Sequence, residues 1–215
     1  MAKKVLNGIK VVVSDWSGVV SDDRKPVYEA NMRVLESHGM QRLTPETFFS
    51  TSTMTPMEFY SNLGIKGSPD VLFEKYKIEY SKVKAEGLAP VPYPDAKEVI
   101  GFLASKVKLI VVSSHPKEHL VAEAAEYGVK ANFSNFFGNA RDKSTAILHA
   151  LQNQNIHPSQ VVYIGDTIYD IRAAKKADVN SVGITTGYHA KERLMMEDPN
   201  LVVDSLTEFA AAVRN

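Results

Sequence analysis

The sequence predicts an α/β fold, a doubly wound parallel sheet with an inserted α-helical domain. Three observations lead there. Across the second half of the chain, short apolar runs alternate with segments of helical spacing, the pattern of strand–helix–strand units. A further β-branched run, Ile9-Lys10-Val11-Val12-Val13-Ser14, stands near the start. Between them, from about residue 22 to residue 88, the apolar spacing is helical throughout. Residues 1–21 and 89–215 are therefore expected to form the α/β domain and residues 22–88 the helical one.

The elements follow in order. The first strand covers Ile9 to Ser14, because a parallel strand buried on both faces reads as a continuous apolar run. Pro26 to His38 reads as a helix, with Val27, Ala30, Val34 and Leu35 near helical spacing and Gly39 just past its end. Thr44-Pro45, Thr55-Pro56 and Ser68-Pro69 each pair an N-cap residue with proline at the first helical position. The third opens a longer helix to about Lys84. Phe48, Phe49, Phe59, Tyr60, Phe73 and Tyr76 are expected to form the small core of this region.

Gly87 to Pro94, with three prolines, reads as the linker. Beyond it come helices at Pro94–Ser105, Pro116–Tyr127, Lys143–Gln154, Ile168–Ala177 and Leu206–Val213. Strands are expected at Val107–Val112, Val161–Ile164, Ser181–Ile184 and Leu201–Val203.

Composition narrows the function. The 215 residues hold 25 Lys plus Arg against 25 Asp plus Glu, so nothing in the net charge points to nucleic acid or a membrane surface. The absence of cysteine excludes disulfides, thiolate zinc sites and a cysteine nucleophile. No apolar run approaches membrane-spanning length, and the basic start is a poor signal peptide. The expectation is a cytoplasmic protein, monomeric or homodimeric, with no nucleic-acid or membrane partner.

The chemistry lies where strands end. The first strand ends at Asp15, the second in Ser113-Ser114, and a later one in Gly165-Asp166 with Asp170 one helical turn on. In a parallel sheet these ends share one edge, where ligands gather. Alone, each residue has an ordinary explanation: Asp15 and Ser113 as caps, Lys143 as a solvated lysine, Asp170 as a surface residue. Converging carboxylates, however, repel unless a positive charge compensates. A hard dication such as Mg2+ is the economical answer, since it binds one or two protein carboxylates together with water and phosphate oxygens.

These residues resemble the motifs of the haloacid dehalogenase-like superfamily. Its first motif is matched by Asp15-Trp16-Ser17-Gly18-Val19, its second by Ser113, and its third by Lys143. The fourth and most specific is matched by Gly165-Asp166-Thr167-Ile168-Tyr169-Asp170-Ile171-Arg172-Ala173-Ala174. The helical insertion resembles the family's α-helical cap.

The resemblance implies a Mg2+-dependent phosphatase acting on a small phosphorylated metabolite. Asp15 would be the nucleophile. Asp15, the Ser17 carbonyl, Asp166 and Asp170 would hold or support the metal. Ser113, Ser114, Lys143 and the backbone around Trp16 and Gly18 would hold phosphate oxygens. His115 and Thr53 are candidates on the substrate side.

One departure stands out. Ser17 occupies the position at which family phosphatases carry a second aspartate, their general acid and base. A serine hydroxyl cannot serve in that role near neutral pH, and such help is typically worth 10²–10⁴-fold. Three readings stay open: phosphatase, a C–P bond hydrolase resembling the phosphonoacetaldehyde branch, and a metal- and phosphate-binding protein without turnover. Lys66 and Lys75 lie in the helical region but match no Schiff-base motif. His115-Pro116-Lys117-Glu118-His119 has the H-x-x-E-H zinc spacing, but Pro116 is expected at a helix start, which would leave His115 outside the helix. Trp16 is expected to serve local packing.

Overall fold

The computed structural model describes residues 5–52, 56–152 and 155–214. It divides into two compact units, Met1–Asp22 with Pro92–Asn215, and Asp23–Val91.

The first unit is the α/β one. It contains β1 (Val11–Ser14), β4 (Lys108–Val112), β5 (Asn135–Phe137), β6 (Val161–Gly165), β7 (Asn180–Ile184) and β8 (Leu201–Val203). These form a six-stranded sheet in the order β5-β4-β1-β6-β7-β8, and every neighbouring pair is parallel. Two short strands, β2 (Ser21–Asp22) and β3 (Val91–Pro92), pair separately. The helices of this unit are α5 (Ala96–Ala104), α6 (Lys117–Glu126), α7 (Lys143–Leu151), α8 (Ile168–Lys176), α9 (Lys191–Met195) and α10 (Leu206–Ala212).

Both faces of the sheet are covered, which explains the unbroken apolar runs. Successive side chains of a strand point to opposite faces. Val12 accordingly joins a core with Leu103, Leu109, Leu120 and Phe209. Val11 and Val13 join the other core, with Ile147, Ala150 and Ala174. No helix among the described residues is long and apolar enough to cross a membrane.

The second unit is helical: α1 (Arg24–Glu36), α2 (Pro45–Thr51), α3 (Pro56–Asn62) and α4 (Pro69–Ala85). Thr44 and Ser68 cap α2 and α4, accepting from the N–H of Thr47 (3.1 Å) and Val71 (3.4 Å). Thr55, the third expected cap, lies outside the described residues. Phe48 packs edge-on against Phe59 at 5.1 Å, and the buried Tyr60 hydroxyl donates to Asn31 Oδ1 at 2.8 Å.

Several expectations are corrected. β1 begins at Val11, because Ile9 and Lys10 donate their N–H groups to Arg214 and Gln160 outside the ladder. Phe73 is 42% exposed, lying on the surface of α4 and stacked on Tyr76, instead of in the helical core. β5 and α9 had no counterpart in the sequence reading. Both are short, three and five residues, below the length at which periodicity can be read.

Candidate active site

Register brings the candidate residues to one edge. Ser14, the last residue of β1, pairs with Val111 of β4 and Ile164 of β6. Asp15 follows immediately, and Ser113 and Asp166 each stand two residues beyond their paired positions. All three are buried.

Asp15 is held from both sides. Its Oδ1 accepts the Trp16 N–H at 2.7 Å, and its Oδ2 accepts from Lys143 Nζ at 2.5 Å. The Ser113 hydroxyl lies close enough to favour the charged form of its carboxylate. Lys143 opens α7, whose N-cap is Asp142. Its ammonium bridges onward to Asp170 Oδ1 at 2.7 Å.

Asp170 is the third residue of α8 and completes a capping box. Its Oδ2 accepts from the N–H and hydroxyl of Thr167 at 3.0 and 2.5 Å, and its own N–H reaches Thr167 Oγ1 at 3.4 Å. The Tyr163 hydroxyl approaches Asp170 Oδ1 at 3.2 Å from inside β6. Asp166 takes the Tyr188 N–H on Oδ2 at 2.7 Å.

The electrostatics follow from this layout. Burial raises the pKa of Asp15, and Lys143 counters that effect. Burial, then Asp170 and Asp15, push Asp166 well above the usual carboxylate range. Burial opposes ionisation of Asp170 too, but Lys143 and Thr167 outweigh it and lower its pKa. Burial likewise opposes charge on Lys143, yet Asp15 and Asp170 hold its pKa above the ordinary lysine value, so it stays cationic.

Ligand atoms of Asp15, Asp166 and Asp170 all lie within 4.8 Å of one another, and all three residues are buried. The donor set is oxygen only, and of its three carboxyl groups Lys143 hydrogen-bonds Asp15 and Asp170. Such a set fits a hard dication of the magnesium type. Gly18 and Gly187 wall it in: a β-carbon on either would lie 2.3 or 2.0 Å from Asp166 Oδ2.

The remaining candidates are less central. Ser17 is half-buried beside the turn. Ser114 is exposed, with its hydroxyl on the Ala140 carbonyl at 3.0 Å. The Gly18 N–H closes the turn onto the Ser21 carbonyl at 2.8 Å. The Trp16 N–H is engaged by Asp15. His115 is half-buried and precedes α6, whose N-cap is Pro116, whereas His119 lies within the helix. The single-helix geometry of the zinc motif is therefore not formed. Thr53 lies outside the described residues.

Sequence reasoning gave no role to Tyr163, Gly187 and Tyr188, and read Thr167 only as part of the fourth motif. Only Thr167 carried a legible signal, the T-x-x-D capping spacing ahead of α8.

A parallel α/β sheet bearing paired acidic motifs and a lysine at its carboxyl edge defines the class. More particularly, the sequence profile of the haloacid dehalogenase-like hydrolases matches residues 12–184, and the chain belongs to that family. It is similar to the phosphoglycolate phosphatases of Salmonella typhimurium (28% identical) and Escherichia coli K12 (27%), each over 148 residues and 66% of this chain. The match spans 57% of the length of those relatives. In fold it is similar to a haloacid dehalogenase-like hydrolase from Streptococcus pneumoniae, with TM-score 0.77, 20% identity and coverage of 95% of this chain and 98% of that one. A further likeness is to such a hydrolase from Bacteroides fragilis, with TM-score 0.80, 21% identity and coverage of 94% and 99%.

Proposed function

We propose that the chain is a phosphatase-type hydrolase that acts on a small phosphorylated metabolite through an aspartyl-phosphate on Asp15. The observation that carries this reading is the setting of Asp15, buried at the sheet edge with Lys143 Nζ at 2.5 Å. A carboxylate so held is a competent nucleophile toward phosphorus.

In the first step an Asp15 oxygen bonds to phosphorus and the bond to the leaving oxygen breaks. Lys143 and Ser113, with Ser114 at the rim, stabilise the phosphoryl oxygens. The Trp16 N–H exchanges Asp15 Oδ1 for a phosphoryl oxygen as the new bond forms. Gly18 contributes by its missing side chain. Mg2+, held by Asp15, Asp166 and the Ser17 carbonyl with support from Asp170, would add positive charge at the transferring group. Water then cleaves the acyl-phosphate and restores Asp15. The helical unit acts as a cap that sets specificity. Phosphoglycolate is the first metabolite to test, given the names of the relatives.

Ser17 favours a second reading, in which the protein binds metal and phosphate without turnover. A panel of p-nitrophenyl phosphate and alkyl phosphates, with and without magnesium, separates the two. Magnesium-dependent hydrolysis that disappears in Asp15→Asn supports the hydrolase. Magnesium binding with no hydrolysis of any phosphate supports the second reading. An imine trapped by borohydride with phosphonoacetaldehyde would instead indicate C–P cleavage.

A further inference from the structure

The loop that carries Asp15 is anchored on its far side by a buried polar network. The backbone N–H of Trp16 holds Asp15 Oδ1 at 2.7 Å. Its carbonyl accepts from the N–H groups of Val20 at 2.8 Å and Ser21 at 3.0 Å, which closes the loop. The indole is fully buried, and its Nε1–H donates to Oε2 of Glu123 on α6 at 2.8 Å. The Ser21 hydroxyl donates to the same oxygen at 3.3 Å. Ser21 Oγ and the Tyr127 hydroxyl are 2.8 Å apart. The indole also stacks on Tyr127, with centroids 5.9 Å apart and planes 8° from parallel.

Glu123 is thus a buried carboxyl in a mainly apolar layer. Burying such a group is costly, and an apolar residue would pack there without the cost. What the carboxyl adds is direction: it fixes the rotation of the indole about its side-chain bonds. The indole and the N–H that holds one oxygen of Asp15 belong to the same residue, Trp16.

We propose that Glu123 is a positioning residue for Asp15. Through Trp16 it holds the carboxylate with Oδ1 on the loop and Oδ2 toward Lys143. The proposal rests on the reading of Asp15 as the phosphoryl acceptor, for which orientation matters: a displacement of about 1 Å can cost on the order of 100-fold in rate.

Trp16 is the single tryptophan of the chain, so its indole N–H gives one resonance in a 15N–1H spectrum. Glu123→Met keeps bulk but loses the acceptor, Glu123→Gln keeps an acceptor oxygen, and Leu120→Ala perturbs the packing of α6 alone. In Glu123→Met the indole signal should move upfield, and the Trp16 backbone amide should exchange with solvent roughly tenfold faster. With p-nitrophenyl phosphate and magnesium, kcat should fall roughly 10- to 100-fold while KM changes less than about twofold. Glu123→Gln should recover most of both signals. Leu120→Ala should lower Tm and leave kcat in place.

An unchanged Trp16 backbone amide in Glu123→Met overturns the proposal. So does a loss of Tm in that variant with kcat intact. If the wild-type protein hydrolyses no phosphate, the hydrolase reading fails, and the Trp16 amide alone decides the role of Glu123. If Glu123→Met does not fold, Trp16→Phe breaks the same bond from the other end and should speed exchange of the residue 16 amide equally.

Discussion

Gly18 and Asp166 are in contact across the site: a β-carbon on Gly18 would stand 2.3 Å from Asp166 Oδ2. Gly18 also has a φ of 72°, a left-handed conformation that costs L-residues about 1–2 kcal/mol. Gly18→Ala therefore carries two penalties, one in the backbone and one on the carboxylate. Denaturant unfolding should show a loss of roughly 1–2 kcal/mol, and calorimetric titration should show magnesium bound at least ~10-fold more weakly, through displaced Asp166.

Ser17→Asp adds a titratable group beside the nucleophile loop. If a missing general acid limits turnover, hydrolysis of alkyl phosphates should rise by up to ~10²–10⁴-fold, with a smaller gain on p-nitrophenyl phosphate. The comparison of kcat on the two leaving groups checks this. Equal gains would point away from proton transfer.

Thr167→Val keeps the shape of the side chain and removes the hydroxyl that caps α8 and bonds Asp170 Oδ2 at 2.5 Å. Unfolding free energy should drop by about 0.5–2 kcal/mol, the usual worth of an N-cap. Magnesium affinity should fall as well, because Asp170 loses one of the two bonds from Thr167 that fix its second oxygen. Urea denaturation and metal titration measure the two effects.

In the helical unit, the hydrogen bond from Arg42 lowers the pKa of Glu29, burial opposes this, and Arg33 adds to the lowering. A carboxyl whose folded pKa is depressed stabilises the fold above its unfolded value. That contribution is lost as pH falls through the folded value. Glu29→Gln should thus destabilise the protein at pH 7 by a few tenths to ~1 kcal/mol, as expected for partly exposed pairs. The difference should begin to shrink near the unfolded value of about 4.3 and vanish once pH has fallen below the depressed folded value. Thermal melts of both proteins across this range give the test.

The parts of the site that were legible lie where strand chemistry changes abruptly. Asp15, Ser113 and Asp166 each end a buried apolar run, and a parallel sheet must bring such ends together. Thr44 and Ser68 were legible as caps for a local reason, since proline followed each of them. Glu123 was not legible: in sequence it is an ordinary helix glutamate, and its burial depends on Trp16, 107 residues away. Tyr188 acts through its backbone N–H, which has no residue signature. Phe73 misled because an aromatic residue at helical spacing is indistinguishable from a core residue until the packing partner is known.

The ion pair between Asp15 and Lys143 joins residues 128 positions apart. During synthesis the acid emerges long before its partners, so no N-terminal fragment carries the assembled charge cluster. Contacts of such long separation also close slowly in refolding. Recovery of Lys143-dependent function after dilution from denaturant should therefore trail the appearance of helical signal, which makes the site a late reporter of native topology.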